Sequence, residues 1–412
     1  MQRHAIISLI AGLFLTVIAP ALAGGLPEPV VFPDTADGRK ALAVDLHMHT
    51  VFSDGAVWPT MRVEEARRDG LALIAITDHL EWQPKLDDIP HPDRNRAFEV
   101  ASTAAERAGV IVINGAEVTR GMPVGHINAV FLKDVNPLLP ETISARTGAE
   151  FADRFDEGTP DTLASARASL EAANAQGGFV FINHPAWTGQ APDGIARLSD
   201  FHRTMIEEGL IHGIEVNNGA MYSEDAFQIA LDHNLAILGV SDIHGLVAYD
   251  YEHAKNGLYR DDAAAGHRTV TLVLTGETSA EAVKAALEAR ETVSLMARTL
   301  YGREAPLRAV VDGALDAVLG AADPSFEGPT SVYPLTITNT APIPFTLRVT
   351  SDQGFAGHSR LFTVPAKGSV TVRMTAVTDP DNLITLPVEV INAYAAPEMP
   401  LALDLAVARV EG

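Results

Sequence analysis

No cysteine occurs among the 412 residues. Disulfides are therefore excluded, as is attachment through a lipidated cysteine, and any bound metal has to be held by nitrogen and oxygen donors. Basic residues are scarce relative to acidic ones: 30 Lys and Arg stand against 53 Asp and Glu, a formal charge of −23. Such a surface repels nucleic-acid backbones and anionic membranes within a Debye length. A nucleic acid polymer is thus not expected as a partner, although a local cationic site still accommodates one small anion. Long apolar runs are missing beyond the N-terminus. The exception, "AIISLIAGLFLTVIAPA", follows Arg3 and leads into Ala21-Leu22-Ala23, which reads as a secretory signal over residues 1–23. An exported protein, periplasmic or secreted and without a membrane span, is expected. Internal repeats and low-complexity tracts are also absent.

What is present is material for two cores. Hydrophobic residues make up 47% of the chain, and from residue 41 short apolar runs alternate with amphipathic stretches, the pattern of βα units around a largely parallel sheet. The runs include "ALAVDLH", "LALIAITDH", "GVIVINGAE", "GGFVFINH" and "LAILGVSDIH". Residues 41–305 have the length of an α/β barrel of the TIM type. Beyond them, Pro, Thr, Val and Gly become frequent and runs such as "YPLTITN" and "SVTVRMTAV" alternate with period two. Residues 325–412 read as a small antiparallel β-sandwich. Two long irregular connections, 134–160 and 245–267, are placed to lie over a site.

Ionisable side chains recur where the apolar runs end. "VDLHMHTVFSDG" supplies His47, His49 and Asp54; His79 closes the next run, Glu117 and His126 flank the third, His184 follows "FVFIN", and Asp242 and His244 form an i, i+2 pair. Alternation along the first strand puts Asp45, His47 and His49 on one face, expected to point to the barrel axis, with Val44, Leu46 and Met48 towards the helices. Strand ends of a parallel barrel open on one rim, so these nine residues converge. Imidazoles and carboxylates without thiolates suit borderline divalent ions, Zn, Mn or Fe(II). Nine donors are too many for one ion and suit two or three.

The nine positions resemble the motifs of the PHP (polymerase and histidinol phosphatase) family. The first is matched by His47, His49 and Asp54, the second by His79, the third by Glu117, His126 and His184, the fourth by Asp242 and His244. The resemblance implies a distorted (β/α)7 barrel and a cluster of two to three divalent ions. It implies His47, His49, Glu117 and Asp242 on one ion, Glu117, His126 and His184 on a second, and Asp54, His79 and His244 on a third. The signal and the C-terminal sandwich make the layout similar to exported bacterial phosphodiesterases of this family, the Sb-PDE type. The activity implied is hydrolysis of a small-molecule phosphate ester, with a metal-bridging hydroxide attacking phosphorus and Asp242 accepting a proton. Asp45 is placed to orient His47, Arg120 to contact phosphate, and Trp58 and Trp187 to pack an ester group. A PHP phosphomonoesterase is the nearest alternative; an amidohydrolase or a non-catalytic scaffold stands further off. The oligomeric state is left open.

Overall fold

Among the described residues, the apolar runs from residue 41 to about 300 are strands, and amphipathic stretches between them form the helices that cover the sheet. The computed structural model describes residues 29–139, 160–248, 267–323, 331–375 and 385–409. The expected signal over 1–23 lies outside them, as do most of the two long connections. Among the described residues no helix is long and apolar enough to cross a membrane.

Strands β1 (Lys40–Asp45), β2 (Leu73–Ile76) and β3 (Ile111–Thr119) run parallel, separated by helices Pro59–Asp69 and Arg96–Ala108. Both helices stop at glycines with left-handed backbone, Gly70 and Gly109. Strand β4 (His126–Val130) reverses and pairs antiparallel with β3 and with β5 (Phe179–Ile182); β6 (Gly213–Asn218), followed by the short β7 (Met221–Tyr222), and β8 (Ala236–Val240) then resume the parallel order. Strand β9 (His267–Thr275) pairs antiparallel with β1. Gly239 and Thr271 lock β8 to β9: the Gly239 N–H donates to Thr271 Oγ1 and that hydroxyl donates back to the Gly239 carbonyl, at 3.0 and 2.8 Å. The ring is therefore a closed barrel. Its parallel order is broken at β4 and β9, a departure from the regular βα alternation expected; the six residues between β3 and β4 are too few for a crossover helix, so the chain must return antiparallel.

The expected facing of the first strand is reversed. Val44 and Leu46 pack with Leu73, Phe179, Phe181 and Leu238, from strands all round the ring, and thus fill the barrel interior. Ala43 packs outward with Val63 and Ala66 of the first helix. Regular pairing ends at Asp45, and the irregular backbone beyond it lets His47 and His49 enter the site together.

Strands β10 (Thr292–Ala297) and β11 (Thr299–Gly302) and helix Glu304–Ala314 lead out of the barrel. The sandwich begins earlier than residue 325, because β12 (Leu315–Leu319) already pairs with β13 (Val332–Asn339). Strand β13 also pairs with β17 (Gly368–Thr375), which holds the short β15 (Gly354–Phe355). The other layer joins β16 (Leu361–Val364), β14 (Phe345–Val349) and β18 (Thr385–Ala396). Strand β19 (Met399–Arg409) pairs with β18 and then with β12. Period-two residues such as Leu335, Ile337, Phe345, Leu347, Val388 and Leu403 fill the space between. The two units share a sheet, β11 pairing parallel with β18.

Candidate metal centre

The rim of the barrel is built by short excursions at strand ends. His47 and His49 follow β1, His79 follows β2, and His184 and the Asp242–His244 pair follow β5 and β8, while Glu117 lies near the end of β3. His126 is the first residue of the reversed β4, which puts the beginning of that strand at the same rim. Asp54 reaches the rim because Gly55 packs onto the His49–Thr50 peptide; a Cβ there would lie 2.6 Å from His49 C and Thr50 N. His184 and Asp242 have left-handed backbone, φ 27° and 49°, a strain that persists only where surrounding contacts over-determine it. Buried Arg62 ties the two ends of the site: Nε donates to the His49 carbonyl at 2.9 Å, Nη2 to Ile243 at 3.0 Å and Nη1 to Gly245 at 2.7 Å.

Glu117 is the hub. Its Oε1 lies 2.9 Å from His126 Nδ1, 3.4 Å from His184 Nε2 and 3.6 Å from His47 Nε2. Its Oε2 lies 2.7 Å from His79 Nδ1 and 3.6 Å from His49 Nε2. Five imidazoles thus surround one buried carboxylate. On one side, His47 Nε2, His49 Nε2 and Asp242 Oδ1 form a triangle with every edge 3.1 Å. On the other, Asp54 meets His244 Nε2 at 3.1 Å, His49 Nδ1 at 3.5 Å and His79 Nε2 at 3.6 Å.

Charge is distributed unevenly among these rings. Burial opposes protonation of all of them. At His47 the carboxylates of Asp242, Glu215 and Glu117 overcome it and hold the pKa well above the usual range; at His79 burial is outweighed by Glu117 and Asp54, giving about 10. At His49 burial prevails, reinforced by His244 and His79, and the pKa falls to about 4. Burial works to raise the Glu117 and Asp242 carboxyls, but the surrounding imidazoles hold both below the usual carboxylate range.

The donor set fits divalent cations. Three lone-pair atoms held at 3.1 Å repel one another unless protons or a cation stand among them, and the spacing suits ligand bonds of roughly 2.0–2.2 Å. Glu117 Oε2 is buried and accepts no well-aligned hydrogen bond, although His79 Nδ1 is close. Three groups, His47/His49/Glu117, His79/Glu117/His126 and His49/Asp54/His79/His244, each bring their donor atoms within 4.8 Å of one another.

A PHP domain family model matches residues 45–176, and an Ig-like domain model matches residues 322–406. The whole chain is similar to a solved two-domain protein from Bacteroides vulgatus containing a predicted PHP-like metal-dependent phosphoesterase: identity is 32%, the TM-score 0.74, and the likeness covers 93% of this chain and 99% of that one. The chain belongs to the PHP family. A 3',5'-nucleoside bisphosphate phosphatase from Chromobacterium violaceum is 29% identical over 170 residues, which is 41% of this chain; the chain spans half the length of that relative.

Within this PHP barrel all nine expected residues meet at the rim, with His49 and His79 each touching two of the groups. Asp45 does not orient the His47 ring. Because the strand faces the other way, its carboxylate accepts from the Ser241 N–H and hydroxyl and lies 3.5 Å from Arg268; it touches His47 through the backbone N–H alone, at 3.4 Å. The His47 ring is held by Glu215 instead, Nδ1 to Oε1 2.7 Å. Arg120 is also corrected: its guanidinium is buried against Glu81 and the Thr119 carbonyl, so it is not turned to a phosphate. Trp187 is 45% exposed and stands over the His126 and His184 rings at 5.8 and 5.3 Å. Trp58 is 44% exposed but packs on Phe52. The third tryptophan, Trp82, lies 5.1 Å from His79 and was not singled out by the sequence, nor were Glu215, Asn183 and Asn218. Asn183 Nδ2 donates to Glu117 Oε1 at 2.8 Å. For the asparagines the available signal was Asn183 closing the run "FVFIN" and the Asn217-Asn218 pair closing "GIEVNN".

Proposed function

We propose that this chain is a metal-dependent phosphoesterase that hydrolyses small phosphodiesters. The observation that carries the reading is Glu117 with five imidazoles around it, flanked by Asp242 on one side and Asp54 on the other. His47, His49, Glu117 and Asp242 would hold one divalent ion, Glu117, His126 and His184 a second, and Asp54, His79 and His244 a third, with Mn, Zn or Fe suited to these donors. When bound, such ions lower the pKa of water and offset the negative charge that builds on phosphoryl oxygens.

The chain's own groups do the rest. Asn183 holds Glu117 in place, and Asp242 Oδ2 is the atom placed to take a proton. Its partner Oδ1 is engaged by both imidazoles, whereas Oδ2 meets Asn218 Nδ2 at 3.2 Å and the side chain is 17% exposed. Trp187 offers an aromatic surface beside the histidines for an ester group. The diester preference is supported by the state of three basic residues near the rim among the described residues. Arg62 is spent on carbonyls and Glu65, Arg120 on Glu81, and Lys85 on the Ser53 and Gly55 carbonyls. A dianionic monoester asks for more cationic donors than a diester does. The second reading, a phosphomonoesterase, is favoured by the likeness to the nucleoside bisphosphate phosphatase. In either case the expected signal supports a role outside the cytoplasm, where phosphate esters are scavenged.

The test is metal content together with hydrolysis of bis(p-nitrophenyl) phosphate and p-nitrophenyl phosphate by purified protein, with and without added Mn or Zn. Two to three ions per chain and faster diester cleavage are expected. Bound metal with monoester preference selects the second reading. Glu117→Gln is expected to lose metal and to lower turnover by more than about 10³-fold, the scale for removing a group central to charge stabilisation. Retained turnover in that variant overturns the proposal.

A further inference from the structure

Glu215 belongs to none of the three donor groups, yet its carboxylate is fully committed to proposed ligands and their support. It is 1% exposed on β6, on the face opposite Ile214 and Val216, which pack outward. Its Oε1 holds His47 Nδ1 at 2.7 Å, and its Oε2 accepts the His184 backbone N–H at 2.6 Å and Asn218 Nδ2 at 2.9 Å. The same Asn218 amide donates to Asp242 Oδ2 at 3.2 Å.

These contacts meet two separate needs. An imidazole that donates Nδ1–H to a carboxylate has its Nε2 lone pair free, and Nε2 is the atom that His47 presents to Asp242 and Glu117. His184 sits at φ 27°, a backbone state a residue with a Cβ adopts only when held there. A charge-assisted hydrogen bond of 2.6 Å to its N–H supplies that hold. His47 and His184 are neighbours in the cluster, proposed for different ions, their ring centroids 5.9 Å apart and both within reach of Glu117 Oε1.

We infer that Glu215 is a positioning residue that fixes the His47 ring, the His184 backbone and, through Asn218, the Asp242 carboxylate as one unit. Donors proposed for two different ions are thereby set by a single carboxylate. The inference rests on the metal-centre reading, and it concerns cation binding before any ester is present.

The test is titration of metal-stripped protein with Mn2+ and Zn2+, paired with thermal melting of the stripped protein. Glu215→Gln keeps the shape but leaves one oxygen to serve the His47 ring and the His184 N–H. The expected result is a 10–100-fold loss of cation affinity, the range for partners that orient metal ligands, with the stripped protein melting within about 3 °C of wild type. Wild-type affinity in this variant overturns the positioning role, and so does a loss matched by a large drop in the melting temperature, which marks a merely structural residue. Should Glu215→Gln fail to fold, Asn218→Leu removes the shared donor and replaces no proposed ligand. An affinity loss of a few-fold supports the unit, and unchanged affinity overturns it. Wild-type protein that takes up no divalent ion overturns the metal centre itself, which is a different outcome from normal uptake with an unaffected Glu215→Gln.

Discussion

Within the described residues of the sandwich, Asn339 is the one buried polar side chain, and its amide caps the connection from β13 to β14 by bonding the Ile343 carbonyl and the Ala341 N–H. The barrel, by contrast, buries Asp45, Arg62, Glu65, Glu81, Glu117, Arg120 and Glu215. Backbone strain divides the same way. Left-handed residues of the sandwich, Lys367 and Glu398, sit in tight connections between strands, whereas those of the barrel include His184 and Asp242 at the rim. A buried charge is costly unless paired, and a strained residue persists only when its surroundings hold it. The barrel therefore carries features that stability alone would have removed, and Glu117, His184, Glu215 and Asp242 bring several of them to the rim.

Two substitutions break this comparison if it is wrong. Arg62→Met strips three rim carbonyls of their donor and leaves Glu65, which also accepts the Val247 N–H, without its ion partner. The expected cost is about 3–5 kcal/mol, the range for removing one member of a buried pair. Phe345→Ala in the sandwich, where the ring is fully buried, is expected to cost a similar amount, about 3–5 kcal/mol, through the cavity it leaves. Denaturant unfolding measures both, and turnover per folded molecule separates them. Arg62→Met should lower it, because His49, Ile243 and Gly245 lose their common tie; Phe345→Ala should leave it unchanged. Equal loss of turnover in both would mean that the sandwich supports the site as directly as the rim does.

A smaller effect is carried by pH. His202 is buried in the first turn of helix Asp200–Glu207, where Nε2 donates to the Val124 carbonyl at 2.6 Å and Nδ1 accepts from the Ser199 N–H at 3.3 Å. Burial lowers its pKa from 6.5 to about 4, against the pull of the Val124 carbonyl. Below pH 6.5 the unfolded chain takes up a proton that the folded chain refuses, so the stability contributed by neutral His202 is complete above pH 6.5 and is lost as pH falls towards 4. The loss reaches about 3 kcal/mol, from roughly 1.4 kcal/mol per pH unit. His202→Gln should flatten the stability profile between pH 6.5 and 4 relative to wild type. An unchanged slope would place the effect elsewhere. The sandwich buries no histidine among its described residues, so its own unfolding transition should not share this window.

The comparison also explains what could be read without a structure. Period-two alternation placed the sandwich strands, because each has one face in the core and one in solvent. The nine donors of the rim were legible because chemistry left unusual side chains at the ends of apolar runs. The facing of β1 was not, since alternation was extended through residues 46–49, where regular pairing has already stopped. Asp45 was misread for the same reason. Arg120 was misread because sequence does not show that Glu81, 39 positions earlier, neutralises it. Glu215 escaped because a single glutamate in "GIEVNN" resembles any strand polar residue, and its contacts, to residues 31 and 168 positions away, exist only after the barrel closes.

The smallest expected effect concerns the edge where the rim meets solvent. Among the described residues Trp187 is the exposed aromatic nearest the donor rings, and Gly189 lies beneath its indole where a Cβ would collide with the ring. Replacing Trp187 with Ala removes a stacking surface without replacing a proposed ligand, so cation content should be unchanged while KM for bis(p-nitrophenyl) phosphate rises about tenfold, from a contact worth roughly 1.4 kcal/mol. Trp58→Ala, whose ring leans on Phe52 instead, should change KM much less. The ester group can then be varied at fixed protein. If Trp187 stacks on an aromatic ester, a diester with only alkyl groups should show no difference between wild type and Trp187→Ala. A penalty of the same size for the alkyl diester would mean that the indole shapes the rim itself, and that the division between a strained, functional edge and a merely packed one runs further out than the histidines.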